Sequence, residues 1–378
     1  MSAPRLDEPW LARHVWPRFS RVLERKELYL ANHSLGRPPD RAADDLRAAI
    51  DAWYRDLDGA WKLWTEGRER FRELTAKLVS APRRDSIIPK TSAGQGLRAV
   101  LNALPGQPRV LTTDAEFDSL DFILRVYRDK GRIDLKVLPF EDFRFEPCDL
   151  VVLSSVAFRT GAIFSSLSQV IEKARSAKSL VLLDVYHHAG VLPLDLAALD
   201  ADFAVGGSYK YLRGGPGACW LYVHPRHHGL RTLDTGWFAK KDPFAYERPE
   251  PPQFAPGGDA WLESTPPVLA PFQALAGLEI TLELGVPRIR DYNLAQKAVL
   301  KSLLPAHVPV MGEGEDHGAF VTLRHAKAKV LAAELEKKGI KTDARGEYLR
   351  LCPDFLNRNE DLAVAAAVLS KLIKGDAA

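Results

Sequence analysis

An apolar run, Val181-Leu182-Leu183, ends in Asp184, and His187 follows three residues later. A second apolar stretch, Ala201 to Ser208, then leads into Tyr209-Lys210-Tyr211-Leu212 and the glycine-rich Gly214-Gly215-Pro216-Gly217, so that the acid and the lysine stand 26 residues apart. Such a pair suits an aldehyde cofactor on a pyridine ring. A lysine amine forms a Schiff base with a carbonyl and afterwards carries a proton. A carboxylate beside the pyridine nitrogen keeps it protonated, so that the ring can take up electrons. Taken singly, Asp184 reads as a capping acid and Lys210 as a solvated side chain. In this order, ahead of a glycine run, they point to pyridoxal 5'-phosphate (PLP).

The elements that would position them alternate in type. Strands are expected at Arg109–Thr112, Asp134–Leu138, Asp149–Leu153 and Ser179–Leu183, with helices over 119–128 and 167–174 between them. Continuous Val/Leu runs separated by helices indicate parallel strands buried on both faces, hence an α/β sheet with crossover helices. Ligands in such sheets sit beyond the carboxyl ends of strands, where Ser154 and Asp184 fall. Residues 38–64 read as helical and tryptophan-rich, and residues 235–267, dense in Pro, Gly and aromatics, as a long loop over a site. A helix over 269–284 follows, and then a helix over 291–304, strands at 319–323 and 348–351 and helices over 327–338 and 360–373 complete a smaller α+β unit. The expected division is an N-terminal arm (1–40), a large cofactor-binding domain (41–285) and a small C-terminal domain (286–378).

Composition sets limits. The 378 residues, 46% hydrophobic and 27% charged with a net charge of +3, are those of a soluble globular protein. Basic residues are not clustered, so neither nucleic acid nor a membrane surface is an expected partner. Cys148, Cys219 and Cys352 lack CxxC spacing, which argues against a disulfide framework or a zinc site. The opening stretch, Met1 to Glu8, has no apolar signal core, and a cytoplasmic location is expected.

Beyond these features, the chain resembles the kynureninase family of the fold-type I, aminotransferase class V superfamily, from about residue 28 to 370. The N-S-L-G element is similar to His33-Ser34-Leu35-Gly36, and the T-S-V-N phosphate turn to Thr91-Ser92-Ala93-Gly94. The ring-stacking Phe of F-P-[ST]-D resembles Phe117, and V-x-F/Y-x-T-G resembles Val156 to Gly161, with Ser154 just upstream. D-x-x-H is matched by Asp184 and His187, and Y-K-Y-L-N-x-G-P-G by Tyr209 to Gly217, with Arg213 in the Asn place. G-W-[WF]-G-H resembles Gly236-Trp237-Phe238-Ala239-Lys240, [ST]-x-P-P resembles Ser264-Thr265-Pro266-Pro267, and I-R-V-A-P resembles Leu349 to Pro353. Each element is ordinary alone; together in one order they are specific.

The resemblance implies a large domain with a mostly parallel seven-stranded sheet and a smaller α+β domain. It implies PLP held by Thr91, Ser92, Phe117, Ser154, Asp184, His187, Tyr209, Lys210, Trp237 and Thr265. Trp237 and Thr265 would reach the site across a homodimer interface. Lys210 would be the catalytic lysine, and Tyr209 a proton donor whose phenol pKa must be lowered to work near neutral pH. Arg350 and Ser34 would bind the substrate, because a guanidinium fork matches a carboxylate at two points; an internal ion pair of Arg350 with Asp343 is the alternative.

The implied reaction is hydrolytic Cβ–Cγ cleavage of L-kynurenine or 3-hydroxykynurenine to anthranilate and L-alanine, in tryptophan catabolism. Leu120 stands where the family has a second acid, between Asp118 and Asp121, and His33 and Ala239-Lys240 replace residues of substrate loops. A kynureninase-like lyase or aminotransferase acting on another amino acid therefore stays open, as does a non-catalytic protein of the same fold. A cysteine desulfurase needs a cysteine on a mobile loop, whereas Cys219 and Cys352 fall in expected strands.

Overall fold

The computed structural model describes residues 5–306 and 308–376; Met1 to Pro4, part of the stretch read for a signal, lie outside the described residues. At its centre is a seven-stranded sheet in the spatial order Ile87–Lys90, Cys219–Val223, Phe203–Gly207, Leu180–Asp184, Leu150–Ser154, Arg109–Thr113, Asp134–Leu138. Only Cys219–Val223 runs against its neighbours; the other pairings in this sheet are parallel. The α/β sheet of the expected fold is therefore present.

Burial explains why these segments form strands. Every residue of Leu150–Ser154, Phe203–Gly207 and Cys219–Val223 is buried. A Val or Leu side chain removed from water contributes roughly 1.5–3 kcal/mol, and β-branched side chains fit the pleat. Three strands end one residue later than the sequence reading placed them, at Thr113, Ser154 and Asp184. Ser154 and Asp184 are partners in the ladder. Ile87–Lys90 escaped the sequence reading because it contains Pro89; it is an edge strand, where a missing N–H is tolerated.

The second sheet is antiparallel, in the order Asp343–Arg345, Tyr348–Leu351, Val321–Arg324, Val310–Met311. The helices Ala328–Lys337 and Asn359–Asp376 accompany it. The helix expected from residue 291 begins at Val286, because Gly285, with φ 80°, ends Ala270–Leu284, and Pro287 sits in the next first turn. The tryptophan-rich stretch forms Arg41–Asp56 and Ala60–Leu78. The 235–267 segment is not an open loop: Phe238, Ala260 and Trp261 on it are buried, and short 3-10 turns give it shape.

The N-terminal segment ties the two sheets together. Leu28–Tyr29 pairs in parallel with Ile340–Lys341, and Ala31 bridges Cys352. Gly36 N–H then donates to the Tyr209 carbonyl at 2.7 Å. A Cβ at Gly36 would stand 1.9 Å from the Lys210 carbonyl oxygen, so only glycine lets the segment cross the lysine turn this closely. Among the described residues, no helix is long and apolar enough to cross a membrane.

Candidate active site

A cavity of about 120 Å³ opens at the carboxyl ends of the central strands, lined by Thr91, Ser92, Phe117, Ser154, Asp184, His187, Tyr209 and Lys210 among others. Eight of the residues expected from sequence thus converge on one space. Asp184 ends its strand, 6% exposed, with one carboxylate oxygen accepting from Tyr186 N–H at 2.8 Å. Lys210 follows the Phe203–Gly207 strand, 4% exposed, with its Nζ 2.6 Å from His187 Nε2. The ammonium position lies 5.5, 5.6 and 5.9 Å from the ring centres of Phe117, Tyr209 and Tyr186.

Electrostatics follow from this burial. Loss of hydration lowers the Lys210 pKa well below that of a free lysine, opposed by the Asp184 charge and assisted by Arg350. The same loss raises the Asp184 carboxyl, and His187 is held neutral by burial and by the neighbouring Lys210 charge. The lysine is thereby kept nucleophilic. Tyr209 moves opposite to the expectation: burial, with Asp184 nearby, pushes its phenol up to about 12. Its hydroxyl is accordingly a donor that keeps its proton at neutral pH.

At the mouth nearest Thr91, Ser92 caps the helix Ala93–Leu101, its hydroxyl accepting from Gln95 N–H at 3.1 Å. Thr91 N–H donates to the Gln95 side-chain oxygen at 2.7 Å, and Gln95 Nε2 donates to Glu263 at 2.9 Å. A helix start is an anion site. The Ser208 hydroxyl, two residues before Lys210, is buried without a partner. A buried amine, a carboxylate, an aromatic ring and the hydroxyls of a helix start, all lining one cavity, are a set that fits PLP.

Three expected residues lie apart from this cavity. Trp237 donates its indole N–H to Thr265 Oγ1 at 3.0 Å, and Trp237 packs on Phe238 with ring centres 4.3 Å apart. Thr265 lines an adjoining cavity that shares only Thr91 with the first. Ser34 donates to Asp343 at 2.5 Å instead of facing Lys210.

Arg350 sits beside the cavity, not in its wall. Its Nη1 donates to the carbonyl of Phe158, which does line the cavity, and its charge acts on both Lys210 and His187. Nε and Nη2 grip Asp343 at 2.7 and 2.5 Å, so the internal ion pair is formed. His33 Nε2 joins the same carboxylate at 2.7 Å. Asp343 is the hub that the sequence reading named only as a partner for Arg350. Glu116 and Tyr186 were missed altogether, since one acid before Phe117 and one aromatic after Asp184 carry no spacing signal.

The three cysteines are buried, and Cys219 accepts from Tyr186 Oη at 2.8 Å. Cys352 lies just past the Tyr348–Leu351 strand rather than within it, and burial raises all three thiols. None is poised as an exposed thiolate.

The model of the family described as aminotransferase class-V matches residues 52–347. The chain is 26% identical to a kynureninase of Bacillus anthracis, covering 92% of this chain and 89% of that protein. It is 28% identical to a kynureninase of Deinococcus radiodurans, covering 91% and 90%. Among solved structures, C-DES with glycine covalently linked to its PLP cofactor superposes with a TM-score of 0.84 at 18% identity, covering 94% of this chain and 98% of that one. The cysteine desulfurase of Thermococcus onnurineus NA1 gives 0.80 at 18% identity, covering 99% and 100%. At such identities, the structures speak to fold alone.

Proposed function

Given that the chain belongs to the aminotransferase class-V family, with PLP as its cofactor, we propose that it is a kynureninase-like hydrolase that cleaves the Cβ–Cγ bond of L-kynurenine or 3-hydroxykynurenine to an anthranilate and L-alanine. The observation that supports this reading is the buried Lys210–His187 pair facing Asp184, in a chain similar to kynureninases over about nine-tenths of its length.

When bound, PLP supplies an electron sink for negative charge developing next to the substrate nitrogen. In this reading, Lys210 is the nucleophile that captures the aldehyde and then the base that takes the α-proton, both favoured by its lowered pKa. His187, neutral and 2.6 Å from Nζ, fixes where that proton points. Asp184 holds the proton of the ring nitrogen, and that cation offsets the burial that otherwise raises the carboxyl. Tyr209 donates a hydrogen bond, and does not act as a base, because its phenol keeps its proton.

Arg350 binds the substrate's α-carboxylate. A guanidinium has five N–H groups, and Asp343 and the Phe158 carbonyl take three of them. Asp343 and His33 then act as a frame that fixes the guanidinium, while the remaining N–H groups serve the substrate.

Trp237 and Thr265 find their use in a homodimer, where each pair serves the partner's cofactor; their separation from the Lys210 cavity of their own chain supports this.

A second reading, a kynureninase-like lyase or aminotransferase for another amino acid, is favoured by one observation. The buried His33, where the family resemblance has Asn, is committed to Asp343. Purified PLP-loaded protein incubated with kynurenine and with 3-hydroxykynurenine tests the choice. Release of fluorescent anthranilates supports the hydrolase, and its absence with both substrates moves the function to the second reading.

A further inference from the structure

Directly ahead of Phe117, Glu116 is a carboxyl enclosed by neutral hydroxyls. It is 3% exposed. One oxygen accepts from Thr113 Oγ1 at 2.8 Å and from Ser154 N–H at 3.0 Å, and the other meets Ser154 Oγ at 2.6 Å. Thr113 ends the Arg109–Thr113 strand and Ser154 ends the next one. Asp184, the ladder partner of Ser154, is the charged group that acts on Glu116 from the third strand, and its effect opposes ionisation. No Lys, Arg or His pairs with Glu116 among the described residues.

The Glu116–Ser154 contact holds one hydrogen between two oxygens, and the owner of that hydrogen decides what the cavity meets. A Glu116 carboxylate would consume the Ser154 hydroxyl hydrogen and leave Ser154 facing the cavity with lone pairs. A neutral Glu116 donates to Ser154 Oγ instead and frees the Ser154 hydrogen to point inward. Once Asp184 is ionised beside the cofactor's ring nitrogen, a second buried carboxylate has no counter-ion and is disfavoured.

We propose that Glu116 is a positioning residue for the cofactor: held as the neutral acid, it donates to Ser154 and thereby turns the Ser154 hydroxyl hydrogen into the PLP pocket. Burial pushes the Glu116 carboxyl up to about 7, so the neutral acid prevails below that pH and is lost above it. The inference goes beyond the substrate reading, because it depends on the cofactor and not on which amino acid is cleaved.

Titration of the apoprotein with PLP, followed by visible absorbance, measures it in the parent, E116Q, E116A, S154A and the E116A/S154A double variant. A glutamine side chain donates to Ser154 as the acid does, so E116Q should stay within about threefold of the parent dissociation constant near neutral pH. E116A and S154A should each weaken PLP binding about tenfold, the scale of one buried hydrogen bond. The double variant should be no weaker than S154A, because Glu116 acts only through Ser154.

From about pH 6 to about pH 9, the parent should lose more PLP affinity than E116Q, which has no carboxyl to ionise. The titration of Lys210 is common to both proteins and drops out of that comparison. Additive losses in the double variant, an E116A protein that binds PLP as the parent does, or matching pH profiles for parent and E116Q would each overturn the proposal. If E116A does not fold by circular dichroism, the pH comparison of E116Q with the parent decides alone.

Discussion

Asp343 and Arg350 face each other across antiparallel strands and join at two points, 2.7 and 2.5 Å. Arg350 is 2% exposed, so Asp343 is what makes its charge tolerable there. Asp343 also takes Ser34 and His33, and this crowd of donors holds its carboxyl far below the usual carboxylate range despite burial. A depressed carboxyl stabilises the fold at every pH above its unfolded value and is lost only as pH falls toward its folded one. Asp343→Asn should therefore cost about 3–5 kcal/mol in denaturant unfolding at neutral pH, the range for a buried pair left with one charge. The cost should shrink in strong acid. An unchanged unfolding midpoint at neutral pH would show that the pair is not structural.

Arg350→Lys tests the other half of the pair. Lysine keeps the charge but not the planar fork, so it can serve Asp343 or a substrate carboxylate but not both. The expected result is a fall in kcat/KM on the order of 30-fold or more with PLP absorbance unchanged. Loss of PLP or of the fold would assign Arg350 a purely structural part, and unchanged kcat/KM would place the substrate carboxylate elsewhere.

The sequence made the strand ends legible and left much of the framework dark. Val181-Leu182-Leu183 and Leu150-Val151-Val152-Leu153 announce buried parallel strands, so the location of Asp184 and Ser154 together at the carboxyl ends of neighbouring strands follows from pattern alone. Pro89 hid its strand because the same residue type ends most strands. Glu116 was unreadable for another reason: an acid beside an aromatic looks solvated until the fold closes Thr113 and Ser154 over it. Tyr209 shows the limit of assigning chemistry from residue type. A proton-donor role asks for a lowered phenol pKa, and burial raises it to about 12.

Borohydride reduction of the PLP-loaded protein should fix the cofactor on Lys210, and Lys210→Ala should abolish the adduct. Two other buried lysines make this a sharp test. Lys90 has its ammonium 2.5 Å from Glu263, and Lys297 donates to the carbonyls of Gly312 and Gly318, each at 2.7 Å. Both are committed as donors, whereas Lys210 faces a neutral His187 and lines the cavity with Asp184. Peptide mapping that finds the adduct on Lys90 or Lys297 would refute the assignment.

Glu116 predicts a pH signature in the apoprotein itself. Its folded pKa, about 7, lies above the value for an exposed glutamate. Between those two values the folded state binds the proton that the unfolded state has released, so stability falls as pH rises through the interval. Above about pH 7 the folded carboxyl is also ionised, and the penalty of burying that charge stays constant. Glutamine carries no such charge. Glu116→Gln should accordingly match the parent near pH 3, well below the value of about 4.3 for an exposed glutamate, where the carboxyl is neutral in either state, and exceed it by roughly 1–3 kcal/mol at pH 8. Urea unfolding monitored at both pH values, without PLP, isolates this from any effect on the cofactor. Equal stability of the two proteins at pH 8 would mean that Glu116 ionises in the fold without penalty, against the enclosure by Thr113, Ser154 and Asp184.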